Sequence, residues 1–193
     1  DLSVGAVVGL AGMVAGGMIQ KGITITMMGV TLYFDIPMVV LLTLIMGAVV
    51  GLLNGVIITK FGVAPFIATL GTMYIARGFA MLHSQGATYS DIVGKEALGN
   101  VGITFFGSRV LGIPVGAIIL IIIAIVAGIL LKKTTFGWHI FAIGGNEKAA
   151  KLSGIKVDKV KILVYIFSAV CAAIVGIITA AQLEASHPAS GET

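Results

Sequence analysis

Charge is what this sequence has least of. Asp, Glu, Lys and Arg make up 10% of its 193 residues, against roughly a quarter in a soluble domain, and 58% of residues are apolar. A water-soluble globule could not cover its surface with so few charges. The single cysteine, Cys171, excludes an intrachain disulfide and sits in an apolar segment, where it reads as a small packing residue. There is no HExxH and no paired-carboxylate spacing, so the sequence offers no metal or hydrolytic centre. His83, His139 and His187 lie in separate segments, and each reads as a solvated or interfacial residue. The layout of a signal peptide is also missing. With Asp1 starting in mid-pattern and a polar stretch at the other end, the chain is expected to be an internal piece of a longer membrane subunit.

What the sequence does have is long apolar runs, and the mean hydropathy is +1.12. About 20 apolar residues in helix cross a hydrocarbon core of roughly 30 Å. Five segments qualify: 1–19, 37–58, 64–83, 112–131 and 162–181. A run such as AIILIIIAIVAGILL does not alternate as barrel strands do. The fold class predicted is therefore all-α, a polytopic transmembrane helix bundle forming one domain over 1–193.

Orientation follows from the loop lysines and arginines. With five crossings, stretches 59–63 and 132–161 share one side and carry Lys60, Lys132, Lys133, Lys148, Lys151, Lys156, Lys159 and Lys161. The other side carries only Lys21, Lys95 and Arg109. The 132–161 loop is thus cytoplasmic, and the net charge of +4 records topology rather than affinity for nucleic acid.

Within the spans, glycines recur at helical spacing: Gly5, Gly9, Gly12 and Gly16, then Gly47, Gly51 and Gly55. Such faces let helix backbones approach closely in lipid. Two readings stay open for them, tight packing or faces that slide during transport. Arg77 is the one basic residue within a span, suited to anchoring or to a pathway mouth. Asn54, Thr69, Thr72 and Tyr74 are the other pathway candidates, and each is equally able to make an interhelical hydrogen bond. Asp1, ahead of the first apolar run, is expected to cap that helix.

The cytoplasmic loop KKTTFGWHIFAIGGNEKAAKLSGIKVDKVK is too long for a plain connection. Gly144 and Gly145 would free the backbone, Asn146 would cap a helix, and Glu147 suits its positive end. Ala149, Ala150 and Leu152 continue that helix, Ser153 follows, and Gly154 stops it. About two turns of helix are too short to be stable alone in water. Either an anionic lipid surface near Lys148 and Lys151 supports it, or Ala149, Ala150, Leu152 and Ile155 dock into a cytoplasmic protein.

These stretches carry a resemblance. DLSVG (1–5), NGVIITKFGVAPFIATLGTMYIARG (54–78), TTFGWHIFAIGGNEKAAKLSGIKVDKVK (134–161) and ASHPASGE (185–192) resemble the permease subunit of bacterial ABC importers for sugars, in the ribose, galactose and autoinducer-2 group. The family pattern FG…AxGGNxxAAxxSGI is met in order by Phe136, Gly137, Ala142, Gly144, Gly145, Asn146, Ala149, Ala150, Ser153, Gly154 and Ile155. The resemblance implies further helices on either side of this chain and a multi-pass place in the bacterial inner membrane. It implies that 144–155 is a coupling helix contacted by a cytoplasmic ABC ATPase, which would hold the ATP and Mg²⁺; no cofactor is expected on this chain. This agrees with the lack of a GxxxxGK[ST] phosphate loop. The outer loops, chiefly 84–111, would meet a periplasmic sugar-binding protein, with 90–99 forming a short interfacial helix. A second permease would complete the pathway. An ion-coupled secondary transporter is the alternative, disfavoured because no Asp or Glu lies in the four later spans and no inverted repeat is visible.

Overall fold

The computed structural model describes residues 1–25 and 29–191; residues 26–28, Glu192 and Thr193 lie outside the described residues. Eight helices are described: α1 (Val4–Gln20), α2 (Ile36–Lys60), α3 (Pro65–Ser84), α4 (Thr104–Gly107), α5 (Val115–Lys133), α6 (Thr135–Gly145), α7 (Glu147–Leu152) and α8 (Val157–Leu183). Three two-stranded antiparallel ribbons accompany them: β1 (Ile23–Ile25) with β2 (Val30–Leu32), β3 (Tyr89–Ser90) with β6 (Ala185–Ser186), and β4 (Arg109–Val110) with β5 (Ile113–Pro114). The helices α2, α3, α5 and α8 are long and apolar enough to cross a membrane, and α1 is a shorter apolar helix of 17 residues. Prolines in the first turns of α2 and α3 suit helix starts, where no N–H donor is missed.

The packing is glycine-directed. Gly47, Gly51 and Gly55 put one face of α2 directly on α8: a Cβ at Gly51 would stand 2.5 Å from the Tyr165 carbonyl oxygen, and one at Gly55 would stand 2.8 Å from the Ile162 Cα. On an adjoining part of the same side of α8, Gly176 meets α1, where its Cβ would lie 2.8 Å from that of Ala11. From Gly47 to Gly55 the partners on α8 fall from Ala173 to Ile162, so α2 and α8 are antiparallel; Val8 meets Gly176 and Gly12 reaches Ala180, so α1 and α8 run parallel. Without a hydrophobic drive between helices in lipid, this close approach supplies the dispersion contact that holds α1, α2 and α8 together. By contrast α5 is packed on the bundle only along one side, with Val115 its only buried residue.

One expectation for the segment 84–111 needs correction. No interfacial helix forms over 90–99; the segment has only a three-residue 3₁₀ turn, Glu96–Leu98. Its neighbours explain this, because the segment is fastened inward. Ile92 and Asn100 are buried, Asn100 Nδ2 donates to the Ile19 carbonyl at 2.8 Å, and Gln20 Nε2 donates to the Ser90 carbonyl at 2.6 Å. The tail is fastened inward as well. After β6 it turns back along α1, with Ser186 beside Gly16, Ser190 beside Gly9 and Gly191 beside Gly5. Most of the α1 glycine face is therefore filled by the chain's own returning tail.

Candidate functional site

Two places gather the residues singled out from the sequence. The first is a polar chain within the bundle. Thr72 Oγ1 donates to Asn54 Oδ1 at 2.6 Å, Asn54 Nδ2 donates to Ser3 Oγ at 3.0 Å, and Ser3 Oγ donates to Asp1 Oδ1 at 2.6 Å. Beside it the Leu2 N–H donates to Thr69 Oγ1 at 3.2 Å, and that hydroxyl donates to the Pro65 carbonyl at 2.9 Å. Asn54 lies six residues from the C-terminal end of α2, about 9 Å along the helix axis. The start of α1 is thus held at membrane depth by side chains of α2 and α3.

Asp1 is not the helix cap. Ser3 occupies the N-cap position, and the Asp1 carboxylate instead accepts from the Ser3 N–H at 2.8 Å in a local turn. Ser3 is the member of this network that sequence reasoning missed; the Asp-x-Ser spacing ahead of an apolar run was the available signal. Asn54, Thr69 and Thr72 are brought together, but Tyr74 is not. It projects from the exposed face of α3, near Gly71 and Gly78, while Arg77 is half-buried between the two faces. Replacing Asn54 by Leu should lower the stability of the full-length protein by about 1 kcal/mol, since Ser3 and Thr72 each lose a partner. Thermal unfolding in mild detergent measures this, and an unchanged midpoint would show the network to be idle.

The second place is the elbow that joins α5, α6 and α7. Thr134 alone joins α5 to α6: its Oγ1 accepts from the Gly137 N–H at 3.3 Å and donates to the Leu130 carbonyl. The whole of 135–145 is helical, so Gly144 and Gly145 end α6 and do not form the flexible lead expected. A single extended residue, Asn146, then turns the chain into α7. Asn146 Oδ1 accepts from the Ala149 N–H at 3.1 Å, the N-cap bond predicted. At the other end Gly154 has φ of 84°, its N–H bonds the Lys151 carbonyl, and the Ile155 N–H bonds the Ala150 carbonyl. These two bonds form a Schellman stop, which needs a left-handed residue at the glycine.

Helix α7 has six residues, about 9 Å of rise, and two ion pairs link its region to the bundle. Glu147 Oε2 meets Lys161 Nζ at 2.7 Å, and Lys60 Nζ meets Asp158 Oδ2 at 3.3 Å. The first ties the start of α7 to α8, and the second ties α8 to the end of α2. Both pairs are exposed, so they orient more than they stabilise. The apolar face expected on α7 is divided. Ala150 is 5% exposed and packs inward, Ile155 is half-buried, and Ala149 is exposed; Leu152, 90% exposed, points away from the protein. Among the described residues no group of three or more His, Cys, Asp or Glu is placed to hold a metal ion.

Comparison with known proteins places this geometry. Residues 1–192 match the family described as branched-chain amino acid transport system / permease component. The chain is 41% identical over 194 residues to the ribose import permease protein RbsC of Bacillus subtilis, covering all of this chain and 55% of that protein. It is 36% identical to the ribose import permease protein RbsC of Escherichia coli K12, across 99% of this chain and 56% of that one. Against the D-allose transport system permease protein AlsC of the same organism it is 34% identical, with 99% and 54% covered. The chain therefore spans about half the length of the curated relatives it matches. No solved structure matches it.

Proposed function

The chain belongs to the permease-component family of branched-chain amino acid transport systems and is a multi-pass inner-membrane protein, and from that premise we propose that it is the membrane-spanning part of an ATP-driven sugar importer, with α7 as the element that receives the motion of a separate ATPase. The observation that carries the proposal is the build of α7. A six-residue helix is closed at both ends by its own caps, joined by charge to α8, and left with one large apolar side chain pointing away from the protein. Such a piece keeps its shape while giving only Ala150 to the protein's own packing, which is what a lever between two bodies requires.

The motion has a defined route. Displacement of α7 is passed to α8 through Glu147 and Lys161, and to α2 through Asp158 and Lys60. The backbone contact of Gly47, Gly51 and Gly55 with α8 then makes α2 and α8 move as one unit. Tilting that pair pulls on Asn54, and so on the start of α1. Asn54 and Thr69 are buried and bonded within the bundle, so the side chains open to a pathway are those on α3, Thr72, Tyr74 and Arg77. They suit a neutral polyol, which needs hydrogen bonds and no counter-charge. The relatives' ribose and allose import names support a sugar over an amino acid.

The ATPase binds ATP and Mg²⁺, a periplasmic sugar-binding protein delivers substrate to the outer loops, and a second permease completes the pathway. The ion-coupled alternative gains no support from relatives named as import permeases. The test is uptake of labelled ribose, allose and leucine by proteoliposomes holding the full-length protein with its copurifying ATPase. Uptake of a sugar that requires internal ATP is expected. Uptake driven by an ion gradient without ATP would overturn the class, and uptake of leucine alone would overturn the substrate.

A further inference from the structure

A cleft of about 470 Å³ opens at the cytoplasmic membrane surface between α6 and the start of α8, edged by Thr135, His139, Ser153, Lys156 and Lys159. Neither lysine is in an ion pair among the described residues, whereas Lys60 and Lys161 nearby are both paired. Two of its remaining walls, Phe136 and Leu163, also wall an apolar groove of about 420 Å³ that continues along α5 and α8 past Leu130, Ile166 and Phe167. Lysines lie at one end, at the level where Lys132 and Lys133 finish α5, and uninterrupted hydrocarbon contact lies at the other. Lys156 and Lys159 also edge a second cleft, beside Lys60 and Lys151, but Asp158 stands within that one.

We propose that this composite cleft is a site for one anionic phospholipid, its phosphate held by Lys156 and Lys159 and its acyl chain lying in the α5–α8 groove. The chemistry selects that occupant. Two unpaired cations beside the Thr135 hydroxyl match a phosphodiester, and basic pockets at the cytoplasmic ends of helices bind anionic headgroups. A protein partner of acidic surface would use the lysines but leave the groove empty. A neutral lipid would use the groove but leave the lysines unpaired. Because Ser153 and Gly154 form one wall, the bound headgroup steadies the end of α7 against α6. This site stands independently of what α7 is coupled to.

Native mass spectrometry of the full-length protein from mild detergent, titrated with phosphatidylglycerol or phosphatidylcholine, tests the proposal. One tightly retained phosphatidylglycerol is expected. Its affinity should fall roughly 30-fold in Lys156→Gln/Lys159→Gln, each lysine being worth about a factor of five near an anionic headgroup. Lys132→Gln/Lys133→Gln removes the same charge outside the cleft and should leave the bound lipid in place. Leu163→Trp, which fills the groove, should weaken binding with both lysines intact. Equal retention of the two lipids, equal loss in the two double variants, or full binding by Lys156→Gln/Lys159→Gln would overturn the site. So would an absence of lipid together with an acidic protein crosslinked to Lys156 or Lys159.

Discussion

Leu152→Glu should reduce ATP-dependent transport to background while leaving the protein inserted and folded. Leu152 is 90% exposed on a helix that is otherwise complete, so the protein's own packing loses almost nothing when it changes. A large apolar side chain held out from a capped helix is worth keeping only if a partner buries it. Where such an anchor fills a pocket, truncation alone commonly costs about 2 kcal/mol or more, and a charge adds the desolvation of a carboxylate. That is at least a roughly 30-fold loss of productive docking. Ala150→Glu gives the control: this residue is buried against the protein, so the same charge should lower folding yield first. Asn146→Ala removes the N-cap bond at a cost of about 1 kcal/mol and should slow transport several-fold without abolishing it. Uptake and ATPase rates in proteoliposomes, beside thermal unfolding of each variant, separate these effects. Wild-type uptake by Leu152→Glu would remove α7 from the coupling route.

The difference between Leu152 and Ala150 also shows where the sequence stops being legible. Caps and stops are local chemistry, so Asn146 and Gly154 could be read directly and the structure places both at the ends of α7. The long apolar helices were equally open, because twenty residues without charge have few alternatives in lipid. Which apolar residue of α7 faces out was not open: Glu147, Lys148 and Lys151 mark a polar side, but nothing local says that Ala150 turns inward and Leu152 outward. Helix α6 was hidden for a related reason. Two consecutive glycines suggest a loop, yet Gly144 and Gly145 stay helical because the turn is made one residue later by Asn146. The inward course of the tail had no local signal at all. Residues 185–191 are polar and look solvated, and only the empty glycine face of α1, remote in sequence, explains where they lie. The same remoteness hides the polar chain, whose three helices meet through Ser3, Asn54 and Thr72.

Gly51→Leu should prevent the bundle from assembling, with an expected cost of about 3 kcal/mol or more. Glycine at this position serves close approach, not backbone freedom, because α2 is regular through it. A Cβ here would lie 2.5 Å from the Tyr165 carbonyl oxygen, 2.7 Å from the Ile166 Cα and 2.9 Å from the Ile166 nitrogen. All three are backbone atoms of α8, so no side-chain rotation relieves the clash. The helices must separate, and separation also lifts Gly47 and Gly55 from their contacts on the same face. Even Gly51→Ala should be harmful, in contrast to the gain alanine usually brings to a helix interior. Gly128→Leu is the matched control, because a Cβ on that face of α5 meets nothing within 4 Å. Yield of monodisperse protein and its unfolding temperature in detergent give the comparison, with Gly128→Leu near wild type and Gly51→Leu poorly recovered. If Gly51→Leu were as stable as Gly128→Leu, the α2–α8 contact would be dispensable for folding. In that event α2 and α8 could not move as one unit, and motion at α7 would have no rigid path to the start of α1.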